Sequence, residues 1–227
     1  MIELKNVSKT FTLHNQSSAV IEVINDVSLS VAAGECVALT GASGAGKSTL
    51  MRMIYGNYLT QTGQILIDGT DLVQAEPREV IALRREILGY VSQFLRVVPR
   101  VPTLDVVAEP LRAVGATAED ALARAEELLA KLNIPRRLWS LSPTTFSGGE
   151  QQRVNIARGF AHPYPAMLLD EPTASLDAAN REVVLSLIED AKARGAAIVG
   201  IFHDEAARDR VCDREIDVGQ FTPGIAA

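Results

Sequence analysis

Apolar and polar positions along the chain alternate in two different ways, and each way predicts a different kind of strand. Residues 2–7 and 20–31 alternate apolar with polar side chains, which predicts strands that are buried on one face only. Four shorter runs are almost wholly apolar, which is typical of parallel strands covered on both faces. These runs are residues 36–40, 89–92, 167–170 and 197–202, and a further strand bounded by turns is predicted at 63–69.

Between the strands, apolar residues recur at helical spacing. The segments predicted as helices are 48–55, 77–87, 118–132, a helix from about 149, and 178–194. Prolines break regular structure at 98–102, and the Ala-, Leu- and Glu-rich block 103–142 is predicted to be helical. Because helices alternate with strands, we expect an α/β fold with a parallel sheet. One domain is predicted over residues 1–227, with a core of 1–92 and 160–227 and an inserted helical subdomain at about 94–159.

Composition and charge argue against several classes of function. The 227 residues are 47% hydrophobic and 22% charged, as in ordinary globular proteins. The net charge of −6 argues against direct nucleic-acid binding, which usually needs a basic surface. No segment reaches the roughly 18 consecutive apolar residues of a membrane helix, and the N-terminus lacks a signal-peptide pattern. With Cys36 and Cys212 far apart in sequence, we expect no disulfide scaffold and a cytoplasmic protein.

A glycine-rich loop follows the predicted strand 36–40 and opens a helix. It fits G-x-x-x-x-G-K-[ST], the pattern of loops whose backbone N–H groups surround phosphate oxygens. The positive end of the following helix adds to phosphate binding. Lys47 is predicted to meet the β- and γ-phosphates, and Ser48 to ligate Mg²⁺. The residues assigned to this site are Gly41, Ala42, Ser43, Gly44, Ala45, Gly46, Lys47, Ser48 and Thr49.

An Asp-Glu pair ends the apolar run 167–170. A buried strand would carry Asp170 to its carboxyl end, where ligands bind in open α/β sheets. We expect Asp170 to hold Mg²⁺ through a water molecule. Glu171 is predicted to orient or deprotonate an attacking water, as the catalytic base.

The segment Phe146–Arg153 resembles the signature segment of ATP-binding-cassette (ABC) ATPases. The match covers Ser147, Gly148 and Gly149, and it departs from the usual family pattern at Phe146 and Glu150. From the residues alone, Ser147 is a good helix N-cap, and the two glycines make a second anion-binding helix start. The resemblance implies that two chains, as a homodimer or a heterodimer, meet with the signature of one over the ATP of the other.

The same resemblance covers essentially the whole chain and assigns further residues. It implies that Gln93 senses Mg²⁺ and belongs with the catalytic residues Glu171 and His203, and that His203 contacts the γ-phosphate. The loop 175–177 would cross the dimer interface, and Phe11 would stack on adenine. Phe11 could equally be a core residue. The implied fold is an ABC nucleotide-binding domain with an N-terminal antiparallel part, and the implied cofactors are ATP and Mg²⁺.

Within this family, three segments resemble the L-type ATPases of the bacterial phosphonate carbon–phosphorus lyase system. They are residues 91–100, 145–160 and 196–211, and that branch of the family carries Phe146 and Glu150. The resemblance implies a non-transport role with the G, H, I and J proteins and the related K ATPase. That role is to support formation of α-D-ribose 1-methylphosphonate 5-triphosphate from ATP and methylphosphonate, with release of adenine.

Two alternatives stay open at this point. The chain could be the ATPase of a lipoprotein-releasing or macrolide-type exporter, or an architectural protein in which ATP closes a dimer with little turnover. The apolar residues between Gln93 and Pro102 also allow two interpretations. They could be buried in the helical subdomain, or part of the run could be exposed between Arg96 and Arg100 and bind a partner.

Overall fold

The structure is a computed structural model that describes residues 1–13 and 19–222. The N-terminal part is an antiparallel sheet with strand order β2-β1-β4-β5. Its strands are β1 (Ile2–Leu13), β2 (Ala19–Val31), β4 (Thr62–Ile67) and β5 (Thr70–Asp71). The register of β1 against β2 shifts between Leu4 and Thr10, next to Asn6 and Asp26, which both have positive φ. These irregularities let one long strand continue beyond the predicted end at residue 7.

The second sheet is parallel and has five strands in the order β6-β7-β8-β3-β9. They are β3 (Cys36–Thr40), β6 (Leu88–Val91), β7 (Ala166–Asp170), β8 (Ala197–Ile201) and β9 (Arg214–Asp217). Because the strands are parallel, their carboxyl ends lie along one edge. The glycine-rich loop after β3 and the acidic pair at the end of β7 are therefore brought to the same edge of the sheet.

Helices cover this sheet and form the segment inserted between β6 and β7. They are α1 (Lys47–Ile54), α2 (Pro77–Glu86), α3 (Thr103–Ala113), α4 (Ala118–Lys131), α5 (Gly148–Gly159), α6 (Ala178–Ala193) and α7 (Glu205–Val211). Short 3₁₀ turns lie at Arg136–Leu138, Pro143–Thr145 and Val218–Phe221. Side chains cap several helix starts, for example Thr117 at α4 and Asp177 at α6.

The parallel sheet separates two hydrophobic cores, because neighbouring residues of a strand point to opposite faces. In β3, Cys36 and Ala38 join the core shared with α3, α4 and α5, whereas Val37 and Leu39 join the core under the antiparallel sheet. The core of the inserted helices is thus continuous with one face of the sheet. Helices α3–α5 fall within the predicted range 94–159, but the division into subdomains stays a prediction.

The α/β fold class, with its antiparallel N-terminal part and inserted helices, is confirmed. The sequence patterns missed β5, α7 and β9. Strand β9 buries only Ile216 among its four residues, and α7 has only seven residues, so neither carries a readable period. None of the helices in the described ranges is long and apolar enough to span a membrane.

Candidate active site

The glycine-rich loop joins β3 to α1 through three glycines with positive φ. Gly46 is the N-cap of α1 with φ of 92°, and a Cβ there would come within 2.7 Å of the Ile24 side chain. Gly41 has φ of 125°, and its Cβ would meet Asp217 at 2.9 Å. Glycine is therefore required at both positions by conformation and by space. The predicted strand–loop–helix unit is present, with the loop exposed at residues 41–44.

Lys47 lies across the loop that it belongs to. Its ammonium group donates to the carbonyl oxygens of Gly41, at 2.7 Å, and Ala42, at 2.9 Å. The loop, Lys47, Ser48 and Thr49 border a cleft of about 450 Å³ that also reaches Glu171 and His203. The cleft thus unites the phosphate-loop residues with two of the three residues predicted to be catalytic.

The residues predicted to hold Mg²⁺ are hard oxygen donors near one another. Ser48, Gln93 and Asp170 border one groove beside α1. Asp170 is buried, and burial raises the pKa of its carboxyl group, while the Tyr90 hydroxyl donates to it at 3.3 Å. No salt bridge to Asp170 occurs within residues 1–13 and 19–222. A buried carboxylate without an ion-pair partner, next to a serine hydroxyl and an amide oxygen, fits the ligand preference of Mg²⁺.

Glu171 is at the centre of a small polar network. Its backbone has φ of +54°, an uncommon conformation for a non-glycine residue, which turns the chain directly after β7. One carboxylate oxygen lies 2.8 Å from His203 Nε2, and the other accepts from Gln93 Nε2 at 3.4 Å. The side-chain amide of Gln152 donates to the Glu171 carbonyl at 3.3 Å. The structure therefore brings all three predicted catalytic side chains together.

The signature segment forms the capped start of α5, and the predicted N-cap at Ser147 is confirmed. The Ser147 hydroxyl donates to the Glu150 carboxylate at 2.7 Å, and the Ser147 amide donates to it at 3.0 Å. These hydrogen bonds lower the pKa of Glu150, because they stabilise the charged carboxylate. Ser147, Gly148 and Gly149 do not border the cleft around the phosphate loop in the described part of the chain.

Two further predicted features lie outside that cleft. Phe11 is half-buried on β1, where its ring packs edge-on against Tyr58 with the centroids 5.3 Å apart. The ammonium group of Lys9 lies 4.9 Å from the Phe11 ring centroid. The loop 175–177 lies beside the signature segment, since a Cβ on Gly149 would come 3.4 Å from the Ser175 carbonyl oxygen. A contact of Phe11 with adenine stays a prediction.

The run after Gln93 is divided between core and surface. Leu95, Val97 and Val101 are partly buried against the core of the inserted helices. Phe94 and Val98 are 70% and 71% exposed, and Arg96 and Arg100 are exposed as well. The run is therefore partly core and partly surface, and binding of a partner to its exposed part stays a prediction.

Phe94 and Arg96 of this run border the groove of about 600 Å³ that contains the Mg²⁺-site residues. Five arginines line the groove together with the acidic residues Glu109 and Asp170; they are Arg52, Arg84, Arg85, Arg96 and Arg158. Arg85 and Arg158 are paired with carboxylates. Within the described residues, Arg52, Arg84 and Arg96 form no salt bridge. The groove is therefore a basic surface on a chain of net charge −6.

Sequence reasoning missed some residues of the site. Tyr90 contacts Asp170 from the neighbouring strand β6, and Gln152 reaches Glu171 from α5. Both lie within segments that the sequence predicts as a strand and a helix, but only the pairing of β6 with β7 and the packing of α5 bring them to the site.

With this geometry in place, comparison with known proteins identifies the family. The model of the ABC transporter family matches residues 24–174. The chain is 35% identical over 217 residues to the lipoprotein-releasing system ATP-binding protein LolD of Bacteroides fragilis, with coverage of 95% of this chain and 96% of LolD. It is 35% identical over 222 residues to the macrolide export ATP-binding/permease protein MacB of Escherichia coli. That match covers 95% of this chain but only 34% of MacB, so the chain spans about a third of MacB's length.

A solved structure agrees with these matches. The dimeric ATP-binding cassette MJ0796, in a post-hydrolysis state bound to ADP and Pi, superposes with a TM-score of 0.87 at 30% identity. The superposition covers 96% of this chain and 95% of that one. The chain belongs to the ABC transporter family, and it is a P-loop ATPase domain whose cofactors are ATP and Mg²⁺.

Proposed function

We propose that this chain is the PhnL-type ATPase of bacterial phosphonate catabolism. In this role it works with the G, H, I and J proteins of the carbon–phosphorus lyase system and with the K ATPase. It supports formation of α-D-ribose 1-methylphosphonate 5-triphosphate from ATP and methylphosphonate. The observation that carries the proposal is the resemblance of residues 91–100, 145–160 and 196–211 to that branch of the family.

ATP is hydrolysed at an interface between two chains in this proposal. Lys47 and the loop amides bind the phosphates, and Ser48, Gln93 and Asp170 hold Mg²⁺, which neutralises phosphate charge. Glu171 orients the attacking water, and His203, 2.8 Å away, positions the Glu171 carboxylate and contacts the γ-phosphate. The signature residues lie apart from the chain's own cleft, which supports their use on the nucleotide of a second chain.

The partner complex docks at the basic groove next to Gln93. Exposed Phe94 and Val98 supply apolar contact area, and Arg96 and Arg100 border it. Arginine is favoured at protein interfaces. Among residues 1–13 and 19–222, no further side chain near the site resembles a nucleophile aimed at a glycosidic bond. We therefore assign adenine displacement to the partner proteins and ATP-driven conformational work to this chain.

A charge-reversal experiment tests this function. Arg96→Glu combined with Arg100→Glu should leave the chain folded and able to bind ATP. The same variant should lose association with the carbon–phosphorus lyase core in a pull-down and stop growth on methylphosphonate as the phosphorus source. Arg78→Glu with Arg194→Glu is the matched control, because both arginines are exposed and lie outside both the groove and the run that follows Gln93. Core capture at wild-type strength by the groove variant would place the docking surface elsewhere.

The second candidate is the ATPase of a lipoprotein-releasing or macrolide-type exporter. The 35% identity to LolD along nearly the full length of both chains favours it. In that case the groove would bind a permease. Affinity purification of the wild-type chain from its own cells separates the candidates. Recovery of a permease without lyase proteins would replace the first candidate with the second.

Dimer formation is tested with two variants at the catalytic site. Glu171→Gln should bind MgATP, turn over very slowly and accumulate as a dimer in light scattering. Adding Ser147→Arg should keep that protein monomeric, because a bulky side chain would obstruct a second chain's γ-phosphate. Identical monomer profiles for both variants in saturating MgATP would exclude homodimeric closure, and pairing with the K ATPase would be tested next.

A further inference from the structure

The two cysteines, 176 positions apart in the sequence, meet in the fold. Cys36 is the first residue of β3 and is fully buried, and Cys212 is half-buried between α7 and β9. Their sulfur atoms are 3.6 Å apart. This contact lies outside the ATP site, since β3 runs about 13 Å from Cys36 to its other end, where the phosphate loop begins.

The backbone fixes the two cysteines beside each other. The Cys36 amide donates to the Asp213 carboxylate at 2.8 Å, and the Asp213 amide donates to the Cys36 carbonyl at 2.8 Å. The parallel pairing of β3 with β9 continues from there, with Val37 opposite Arg214. A disulfide has an S–S distance of about 2.05 Å, so the two sulfurs, now 3.6 Å apart, must approach by about 1.5 Å. In the proposal, rotation of the two side chains supplies this movement.

The surroundings distinguish the two thiols. The hydrogen bond with Cys212 and burial raise the pKa of the Cys36 thiol. The two sulfurs share this hydrogen bond, in which either thiol can be the donor. The ammonium group of Lys192 lies on the Cys212 side. It donates to the Val211 carbonyl at 2.7 Å and is 2.9 Å from the Asp213 carboxylate. Cys212 is the more accessible of the two sulfurs, so it is the one that an oxidant from solvent reaches first.

We propose that Cys36 and Cys212 are a modification site that forms a reversible intramolecular disulfide with a peroxide oxidant. The Cys212 thiolate attacks hydrogen peroxide, forms a sulfenic acid and releases water after protonation. The Cys36 sulfur then attacks the sulfenic sulfur, the S–S bond forms, and the second water leaves with the Cys36 proton. Two thiols are thus oxidised by two electrons and one peroxide is reduced to two waters. A dithiol reductant reverses the reaction.

The bond would tie the start of β3 to the chain segment that leads into β9. Because it closes a loop of 176 positions, it restricts the unfolded chain strongly. We expect the oxidised protein to melt about 5 °C or more above the reduced protein. We expect ATP affinity to change less than about twofold, because the sulfurs lie at the opposite end of β3 from the phosphate loop.

The test uses the full chain with stoichiometric hydrogen peroxide, followed by alkylation and mass spectrometry without reductant. The expected product has lost two hydrogen atoms, resists alkylation and yields a Cys36–Cys212 linked peptide. Cys36→Ser should instead stop at a sulfenic acid on Cys212, which dimedone traps. Cys212→Ser should react slowly, because Cys36 is buried. This outcome is independent of the phosphonate role.

Three results would overturn the proposal. One is a wild-type chain whose thiols both remain open to alkylation after unfolding of the peroxide-treated protein. A second is oxidation that joins different chains or stops at Cys212 in the wild-type protein. A melting temperature that rises equally in wild type and in Cys212→Ser would also contradict it, because that rise could not come from the disulfide.

Discussion

Replacing Glu150 by Gln removes one negative charge from the signature segment and should strengthen ATP-dependent dimerisation. Glu150 accepts hydrogen bonds from the hydroxyl and the amide of Ser147. In the proposed dimer, that hydroxyl faces the γ-phosphate bound to the second chain. The carboxylate therefore lies near a polyanion in the closed state and far from it in the monomer. Gln keeps the capping interaction at this position but lacks the charge.

The size of the effect follows from the geometry. The Glu150 oxygen is 2.7 Å from Ser147 Oγ. A phosphate oxygen that forms a hydrogen bond with the same hydroxyl, on its other side, would lie about 5 Å from the carboxylate. Two unit charges at about 5 Å repel by ~0.8 kcal/mol in water, and by more when the interface excludes water. A homodimer contains this repulsion twice, and the nearby Arg153 and Arg137 offset part of it. We expect about 10- to 30-fold tighter dimerisation.

The assay compares Glu171→Gln with the double variant Glu171→Gln, Glu150→Gln. Because both proteins carry Glu171→Gln, ATP hydrolysis does not disturb the dimerisation of either one. Sedimentation equilibrium in saturating MgATP gives the dimer dissociation constant of each. The difference should shrink as NaCl is raised, because salt screens exposed charges. Equal melting temperatures of the monomers would show that α5 is intact. Equal or weaker dimerisation of the double variant at low salt would refute the reasoning.

Three other substitutions give distinct outcomes. Lys47→Ala should weaken MgATP binding by about 30-fold or more in calorimetry, because a charge-assisted contact to phosphate is lost, and near wild-type hydrolysis would contradict this. Asp170→Asn should reduce the increase in ATP affinity that Mg²⁺ causes by about tenfold, because a carboxylate oxygen near the metal is lost. Because burial raises the pKa of Asp170, ionisation of this carboxyl group destabilises the folded wild type above that pKa. The urea midpoint of Asp170→Asn minus that of wild type should therefore be larger at pH 7 than at pH 4. Gly63→Ala should destabilise by about 2 kcal/mol or more in urea, because φ is +84° and the new Cβ would be 2.3 Å from the Lys5 carbonyl oxygen; an unchanged midpoint would show that the turn can relax.

Much of the fold was predictable because the parallel strands are buried on both faces. Almost wholly apolar runs as short as residues 36–40 and 167–170, bounded by turns, are too short for buried helices and therefore indicate buried strands. The phosphate loop was predictable for a different reason: its glycines meet specific local needs, such as the positive φ of Gly46. A requirement of this kind can be recognised from a few consecutive residues, without information about the rest of the fold.

Features that depend on distant contacts were not predictable. The pairing of β3 with β9 joins a buried strand to a charged one, and nothing in the residues of β9 indicates its neighbour. The same pairing explains why Cys36 and Cys212 meet although the sequence separates them widely. The hydrogen bond from Tyr90 to Asp170 likewise exists only because β6 lies beside β7. Sequence periodicity reports which face is buried, but it does not report which strand is adjacent.

Helix α5 connects the proposed dimer interface to the proposed docking groove. Its 12 residues span about 18 Å, with Ser147 capping one end and Arg158 near the other. Arg158 donates to the Arg96 carbonyl at 3.2 Å and pairs with Glu109 of α3. At its other end, the run that contains Arg96 begins next to Gln93, which contacts Glu171. Because a helix moves as a rigid rod, any closure that carries Ser147 toward a second chain's nucleotide must also displace Arg158 and the exposed run. We infer that a protein bound in the groove is coupled both to the catalytic carboxylate and to the signature segment.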